Sequence, residues 1–311
     1  MPRKYLLGPA GTPHAMLATM TFRPDVDLDP GQVQDRRGGG GGRVRGGGVA
    51  LGGGLGSLVL IALVLLFGGN LGDLAGLGGG GQTDTGPLSS EIASECETGA
   101  DANERQDCRI VGTVNSLRAY WSESFSGTDQ QFVQPGTVVF DDQVSTECGA
   151  ASSAVGPFYC PIDQTIYLDL GFFDQLESRF GAEGGEFAEE YIVAHEYGHH
   201  IQNLLGLLDA GRDAGAEGGA VRTELQADCF AGVWGGNAVD TGFLEPLTTE
   251  QIGQALNAAE VIGDDRIQEQ TQGQVNPETW THGSSEQRQE WFTIGLEQKT
   301  PDACDTSEAD L

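Results

Sequence analysis

Between positions 109 and 125, Val111, Val114, Leu117 and Trp121 return every three to four residues, which places them on one face and predicts an amphipathic helix. Residues 186–205 predict the strongest helix, with acids in the opening turns and Gly206 as its stop. The β-branched stretch 137–141 and the better alternating run 164–170, QTIYLDL, predict strands, the second followed by a short helix over 172–180. Further helices are expected over 221–234, ended by Gly235 and Gly236, over 249–261, and over 285–296, where Ser284 and Ser285 precede Glu286. Strands and helices in this mixture predict an α+β domain.

A different pattern fills residues 49–69, VALGGGLGSLVLIALVLLFGG, 21 positions without a charge. As one helix they would extend roughly 31 Å, about the hydrocarbon thickness of a bilayer. The densest part, 55–67, is short enough to suit a signal-peptide core or a buried helix as well. The long preceding segment and the lack of an Ala-x-Ala pattern after the run favour a retained anchor. Arg36, Arg37, Arg43 and Arg45 just upstream place the N-terminus in the cytoplasm by the positive-inside rule. The expected layout is a cytoplasmic Gly/Arg-rich segment at 1–48, a single transmembrane helix at 49–69, a Gly-rich linker at 70–86 and an extracytoplasmic domain at 87–311. Met20 offers an alternative start.

Charge and cysteine usage agree with this division. Over 311 residues, 16 Lys and Arg face 46 Asp and Glu, a formal charge of −30. Residues 1–72 carry seven basic and four acidic side chains, so the negative charge belongs to the remainder. Such a surface has no place for a phosphate backbone, and nucleic acid is not an expected partner. It keeps an exported domain soluble; attraction of calcium is the weaker reading, because no D-x-D-x-D-G loop is present. All six cysteines follow the apolar run, as disulfides in an exported domain would. Six cysteines allow 15 connectivities. Short loops favour Cys96–Cys108 and Cys148–Cys160, which leaves Cys229–Cys304; six reduced thiols in a cytosolic domain are the alternative. No C-x2-C pair exists to suggest a cysteine zinc site.

The chemistry concentrates in residues 192–201, IVAHEYGHHI. His195 and His199 lie one helical turn apart, so both imidazoles can reach a single metal ion. Glu196 can take a proton from a water that Zn²⁺ activates, the arrangement of an H-E-x-x-H motif. Chance produces that motif about 0.01 times in a chain of this length. The flanking positions carry no formal charge, as expected of a buried helix.

A third ligand is needed, and Gln202 and Leu205 exclude the H-E-x-x-H-x-x-G-x-x-H form. Glu224, in TELQADCF, can complete the set, and Asp228 on the same helix face can support a ligand histidine through its free ring N–H. Taken alone, such a pair is equally a solvated acidic face. His200 points about 100° away round the helix and is expected to be structural. His282 can donate to the oxyanion of a tetrahedral intermediate, or can merely open a helix. Tyr191 and Tyr197 are second-choice donors that more naturally pack.

The segments HEYGHH, ELQADCFAGVW and THGSSEQRQEWF, together with DPGQVQDRRG nearer the N-terminus, resemble the bacterial putative neutral zinc metallopeptidase family over most of the chain. The resemblance implies a single-pass protein of the bacterial cytoplasmic membrane with a zincin-like fold. It also implies Zn²⁺ at His195, His199 and Glu224, Glu196 as catalytic base, and a peptide or protein substrate. It places QTIYLDL as the edge strand that pairs with an extended substrate. The expected function is that of a membrane-anchored zinc metallopeptidase. The alternative is a non-catalytic anchored metal-binding or chaperone-like module that retains the fold, for which an uncoordinated Glu196 has no use.

Overall fold

The computed structural model describes residues 21–38, 90–208 and 213–311. The apolar run at 49–69, the linker at 70–86 and residues 1–20 lie outside the described residues, as do residues 209–212. Among the described residues no helix is long and apolar enough to cross a membrane. In chain order the elements are β1 (Gln34–Asp35), α1 (Ser90–Glu95), α2 (Gly99–Glu104), α3 (Gln106–Ser124), β2 (Gly136–Phe140), β3 (Gln143–Thr146), β4 (Gly149–Ser152), β5 (Phe158–Cys160) and β6 (Thr165–Asp169). There follow α4 (Gly171–Phe180), α5 (Glu186–Leu205), α6 (Gly219–Asn237), α7 (Thr249–Val261), α8 (Asp264–Gln272) and α9 (Ser285–Gln298). The expected α+β class is the one observed.

Four strands form one sheet in the order β1-β2-β6-β5, the first three parallel and β5 antiparallel to β6. Its two faces serve two cores. Val139, Ile166 and Leu168 join the helices in the main core. Val138, Phe140 and Tyr167 turn the other way and are covered by the β3–β4 hairpin through Val144 and Ala151. Cys148–Cys160 fastens that cover to β5. Because both faces are buried, β2 and β6 tolerate nearly continuous apolar runs. QTIYLDL is therefore an interior strand, β6, paired on both sides; the edge on its free flank is β5. That corrects the expectation that QTIYLDL forms the edge. Only three residues long, FYC carries too little alternation to be read from sequence.

The domain boundary expected at residue 87 lies outside the described residues. Residues 21–38 are built into the same body. Phe22 is fully buried, β1 extends the sheet by pairing with β2, and Phe22 and Asp27 bridge to Leu244 and Thr98. The same contact explains why α3 is not amphipathic. Every residue from Asp107 to Leu117 is buried, since residues 21–38 cover the face that was expected to meet solvent.

Gly235 and Gly236 do not end α6, which continues to Asn237. They sit where α9 crosses closely: a Cβ at Gly232 would collide with the Phe292 carbonyl oxygen, and one at Gly236 would lie 2.5 Å from that of Leu296. The glycines permit helix contact rather than a turn. Helix α9 starts at a capping box, Ser284 with Gln287, and the third disulfide, Cys229–Cys304, ties the chain beyond it back to α6. All three expected cysteine pairs form.

Candidate metal centre

Helix α5 has the bounds its sequence predicts and stops at Gly206, which adopts φ 72°. Its centre is buried almost all round, so His195 and Glu196, 7% and 8% exposed, meet protein rather than bulk water. The partner surface is α6. Gly198, between the two histidines, lacks the Cβ that would stand 2.9 Å from the Ala227 carbonyl oxygen, so the two helix backbones approach closely. This approach delivers Glu224. Its Oε2 lies 3.2 Å from His195 Nε2 and its Oε1 lies 3.5 Å from His199 Nε2.

Those separations match the edges of a tetrahedron with metal bonds near 2.0–2.1 Å, about 3.3 Å. One donor atom from each of His195, His199 and Glu224 falls within 4.8 Å of the others. The outer ring nitrogens are already committed. His195 Nδ1 lies 2.8 Å from Asp228 Oδ1, and His199 Nδ1 lies 2.8 Å from Gln202 Oε1. Each contact fixes the tautomer that leaves Nε2 as the inner atom. The donor set, two imidazoles and one carboxylate, fits zinc. Among the described residues the other cluster of potential ligands, Cys96, Asp107 and Cys108, has its thiols in a disulfide.

Asp228 is wholly buried and holds more than the histidine. Tyr191 Oη donates to its Oδ1 at 2.6 Å, while Arg288 donates from Nε to Oδ2 and from Nη2 to Oδ1, each at 2.9 Å. Burial raises the Asp228 carboxyl, but the charges of Arg288 and His195 and their hydrogen bonds prevail and hold it below its ordinary value. Burial likewise lowers His195, yet Asp228 and then Glu224 lift it to about 10. Glu224 is held well below the usual carboxylate range by His199 and His195, against its burial. Glu196 moves the other way. Burial pushes its carboxyl up, only partly offset by the two histidines. A carboxylate with a raised affinity for a proton beside a metal centre is suited to general-base work.

His282 reaches the site from the turn before α9. Its backbone N–H and those of Thr281 and Gly283 donate to Asp264 Oδ2, and its Nδ1 lies 3.2 Å from Asp264 Oδ1. Burial depresses His282, but Asp264, and more weakly Glu224, raise it above its ordinary value. His200 is structural, as expected: Nδ1 meets Tyr159 Oη of β5 at 3.0 Å and Nε2 meets the Val133 carbonyl at 2.6 Å, so it ties α5 to the sheet edge. Tyr197 is buried in the core with no partner for its hydroxyl, and Tyr191 is spent on Asp228. Tyr191 is therefore not a free donor.

Of the six residues singled out from the sequence, His195, Glu196, His199, Glu224, Asp228 and His282, the fold brings His195, His199, Glu224 and Asp228 into direct contact. The sequence reading leaves out Arg288, Asp264 and the role of Gln202. Arg288 had a signal, as the one basic residue of THGSSEQRQEWF on an otherwise acidic helix. Asp264 had none, being one of many acids.

Comparison with known proteins follows the same lines. The family described as putative neutral zinc metallopeptidase matches residues 24–307. The uncharacterized protein Rv2575 of Mycobacterium tuberculosis is 55% identical over 228 residues, covering 70% of this chain and 76% of its own. The uncharacterized protein YpfJ of Escherichia coli K12 is 40% identical over 283 residues, covering 88% of this chain and 94% of its own. No solved structure gives a significant match. With a match over most of its length, the chain belongs to the putative neutral zinc metallopeptidase family.

Proposed function

We propose that this protein is a zinc-dependent peptidase that hydrolyses peptide bonds, with His195, His199 and Glu224 as metal ligands and Glu196 as the general base. The observation that carries the reading is the buried triangle of donor atoms with Glu196 next to it and both outer ring nitrogens occupied. Zinc held there supplies a Lewis acid and lowers the pKa of its bound water toward neutrality. Glu196 accepts a proton from the attacking water and passes it to the leaving amine; the burial that raises its carboxyl favours the first transfer. His282, anchored by Asp264, donates to the oxyanion as it develops. An extended peptide would add to the outer side of β5, where main-chain pairing needs no particular side chain. A non-catalytic binding module has no use for Glu196 in this position.

The test is peptide-library cleavage by the purified chain, read by mass, before and after chelation and after return of zinc. Cleavage that disappears with chelation and returns with zinc supports the proposal. Absence of cleavage by protein shown to hold one zinc per chain would move the reading to a binding module.

A further inference from the structure

The two histidines of the metal centre are braced differently. His195 leans on the charged pair of Asp228 and Arg288, whereas His199 leans on a neutral amide. His199 Nδ1 donates to Gln202 Oε1 at 2.8 Å, and Gln202 is completely buried. On its other side Gln202 Nε2 donates to the Thr223 carbonyl at 2.6 Å and to Gln226 Oε1 at 3.1 Å. Gln226, half-buried on α6, passes the contact on: its Nε2 donates to the Cys304 carbonyl at 2.8 Å. The relay thus runs from a ring of the metal centre on α5, through α6, to the main chain beyond α9. A wholly buried glutamine costs desolvation that a methionine of similar size would avoid, so the amide at 202 is explained by what it serves.

The sense of the relay is set at its far end. An amide can turn over, exchanging a donor for an acceptor, and a turned Gln202 would present its N–H₂ to His199. Nδ1 would then have to accept, the ring proton would move to Nε2, and the atom aimed at the metal would have no lone pair to give. A main-chain carbonyl admits no such exchange, because it only accepts. Thr223 opposes the turning of Gln202 directly, and Cys304 opposes the turning of Gln226 that would have to accompany it. The Cys304 carbonyl is itself held. Cys229–Cys304 ties it to α6, the Arg222 guanidinium donates to the Thr306 and Ala309 carbonyls, and the Thr306 hydroxyl donates back to the Arg222 carbonyl at 2.8 Å.

We propose that Gln226 and the Cys304 carbonyl are positioning groups for the metal centre: through Gln202 they keep His199 in the tautomer that offers Nε2 to the ion. The C-terminal stretch 301–311 thereby belongs to the site, although it supplies no ligand. The inference rests on His199 as a ligand and not on peptide hydrolysis.

The experiment measures the zinc affinity of the full chain, by competition with a chromogenic chelator, for Gln202→Met, Gln226→Met, the double variant and His199→Ala. Gln202→Met should weaken binding about 10- to 100-fold, as loss of a ligand histidine's partner does. Gln226→Met should weaken it about fivefold, the worth of one hydrogen bond. Because Gln226 acts through Gln202, the double variant should bind no more weakly than Gln202→Met alone. Unchanged affinity in Gln226→Met, or losses that multiply in the double variant, would overturn the proposal; a role in packing alone predicts one or the other. His199→Ala separates the proposal from the ligand set beneath it. If that variant binds zinc as tightly as the natural chain, the ligand set fails and the proposal with it. A large loss there beside an unchanged Gln226→Met defeats the proposal alone. Should Gln202→Met not fold, the half-buried position 226 still decides. In the zinc-loaded chain with isotopically labelled histidine, the His199 Nδ1 proton should exchange with water about fivefold faster in Gln226→Met than in the natural chain. Equal exchange overturns the proposal.

Discussion

Asp228→Asn tests whether the buried network positions the metal site. Asp228 is fully buried and accepts from Tyr191, Arg288 and the His195 ring. The amide keeps the shape but removes the charge and turns an N–H₂ toward donors. Arg288, 2% exposed, then keeps a guanidinium with no anion beside it. Breaking a buried pair from one side costs about 3–5 kcal/mol. Loss of the carboxylate behind a ligand histidine weakens metal binding by about 10- to 100-fold. Arg288→Met should also destabilise, because the buried Asp228 carboxyl is left with only Tyr191 and His195 to serve it. The double variant removes both charges. It should recover most of the stability, with a coupling of about 2 kcal/mol or more, while zinc binding stays weak because His195 Nδ1 still lacks its carboxylate. Urea unfolding in excess chelator reads the first quantity without metal linkage, and competition with a chromogenic chelator reads the second. Additive single effects, or an Asp228→Asn protein that binds zinc as tightly as the natural chain, would refute the network as drawn.

Three further outcomes follow from the packing. Gly198→Ala forces α5 and α6 apart at the point where Glu224 meets the histidines, so zinc affinity should fall with little change in far-UV circular dichroism; unchanged affinity would mean the close approach is not needed. Glu190 is buried, which raises its carboxyl well above the ordinary value, with Arg109 opposing and Glu186 and Glu189 assisting. A group raised in the folded state contributes stability below its unfolded value and loses it as pH rises, so Glu190→Gln should gain on the natural chain between pH 5 and pH 8 in urea midpoints, and parallel curves would contradict this. Removing Cys229–Cys304 by a double Cys→Ala change frees a 75-residue loop and should cost about 4 kcal/mol on the chain-entropy account; retained stability would show that the α6–α9 contact alone suffices.

The site was more legible than the frame that holds it. His195, Glu196 and His199 follow from spacing on one helix, and Glu224 with Asp228 from a second helix whose face repeats every four residues. Local periodicity carries that information. Arg288 and Asp264 act across 60 and 18 residues of chain, on Asp228 and His282, and no local pattern marks which charges will meet. Glycine has two uses that sequence does not separate. Gly206 does end a helix, whereas Gly232 and Gly236 allow α9 to approach one. Residues 21–38 were hidden for another reason. An apolar run and glycine spacers separate them from the body, and hydropathy reads such an arrangement as a boundary, although Asn103, Asn115 and Gly112 encode the contact from the other side.

The central claim is that Glu196 moves protons without holding the metal. The most direct measurement sets zinc content beside peptide turnover for the natural chain and Glu196→Gln. The account predicts one zinc per chain in both proteins, with turnover reduced about 10²- to 10⁴-fold in the variant. A variant that loses its zinc would make Glu196 a ligand, and one that keeps both zinc and turnover would remove it from the chemistry.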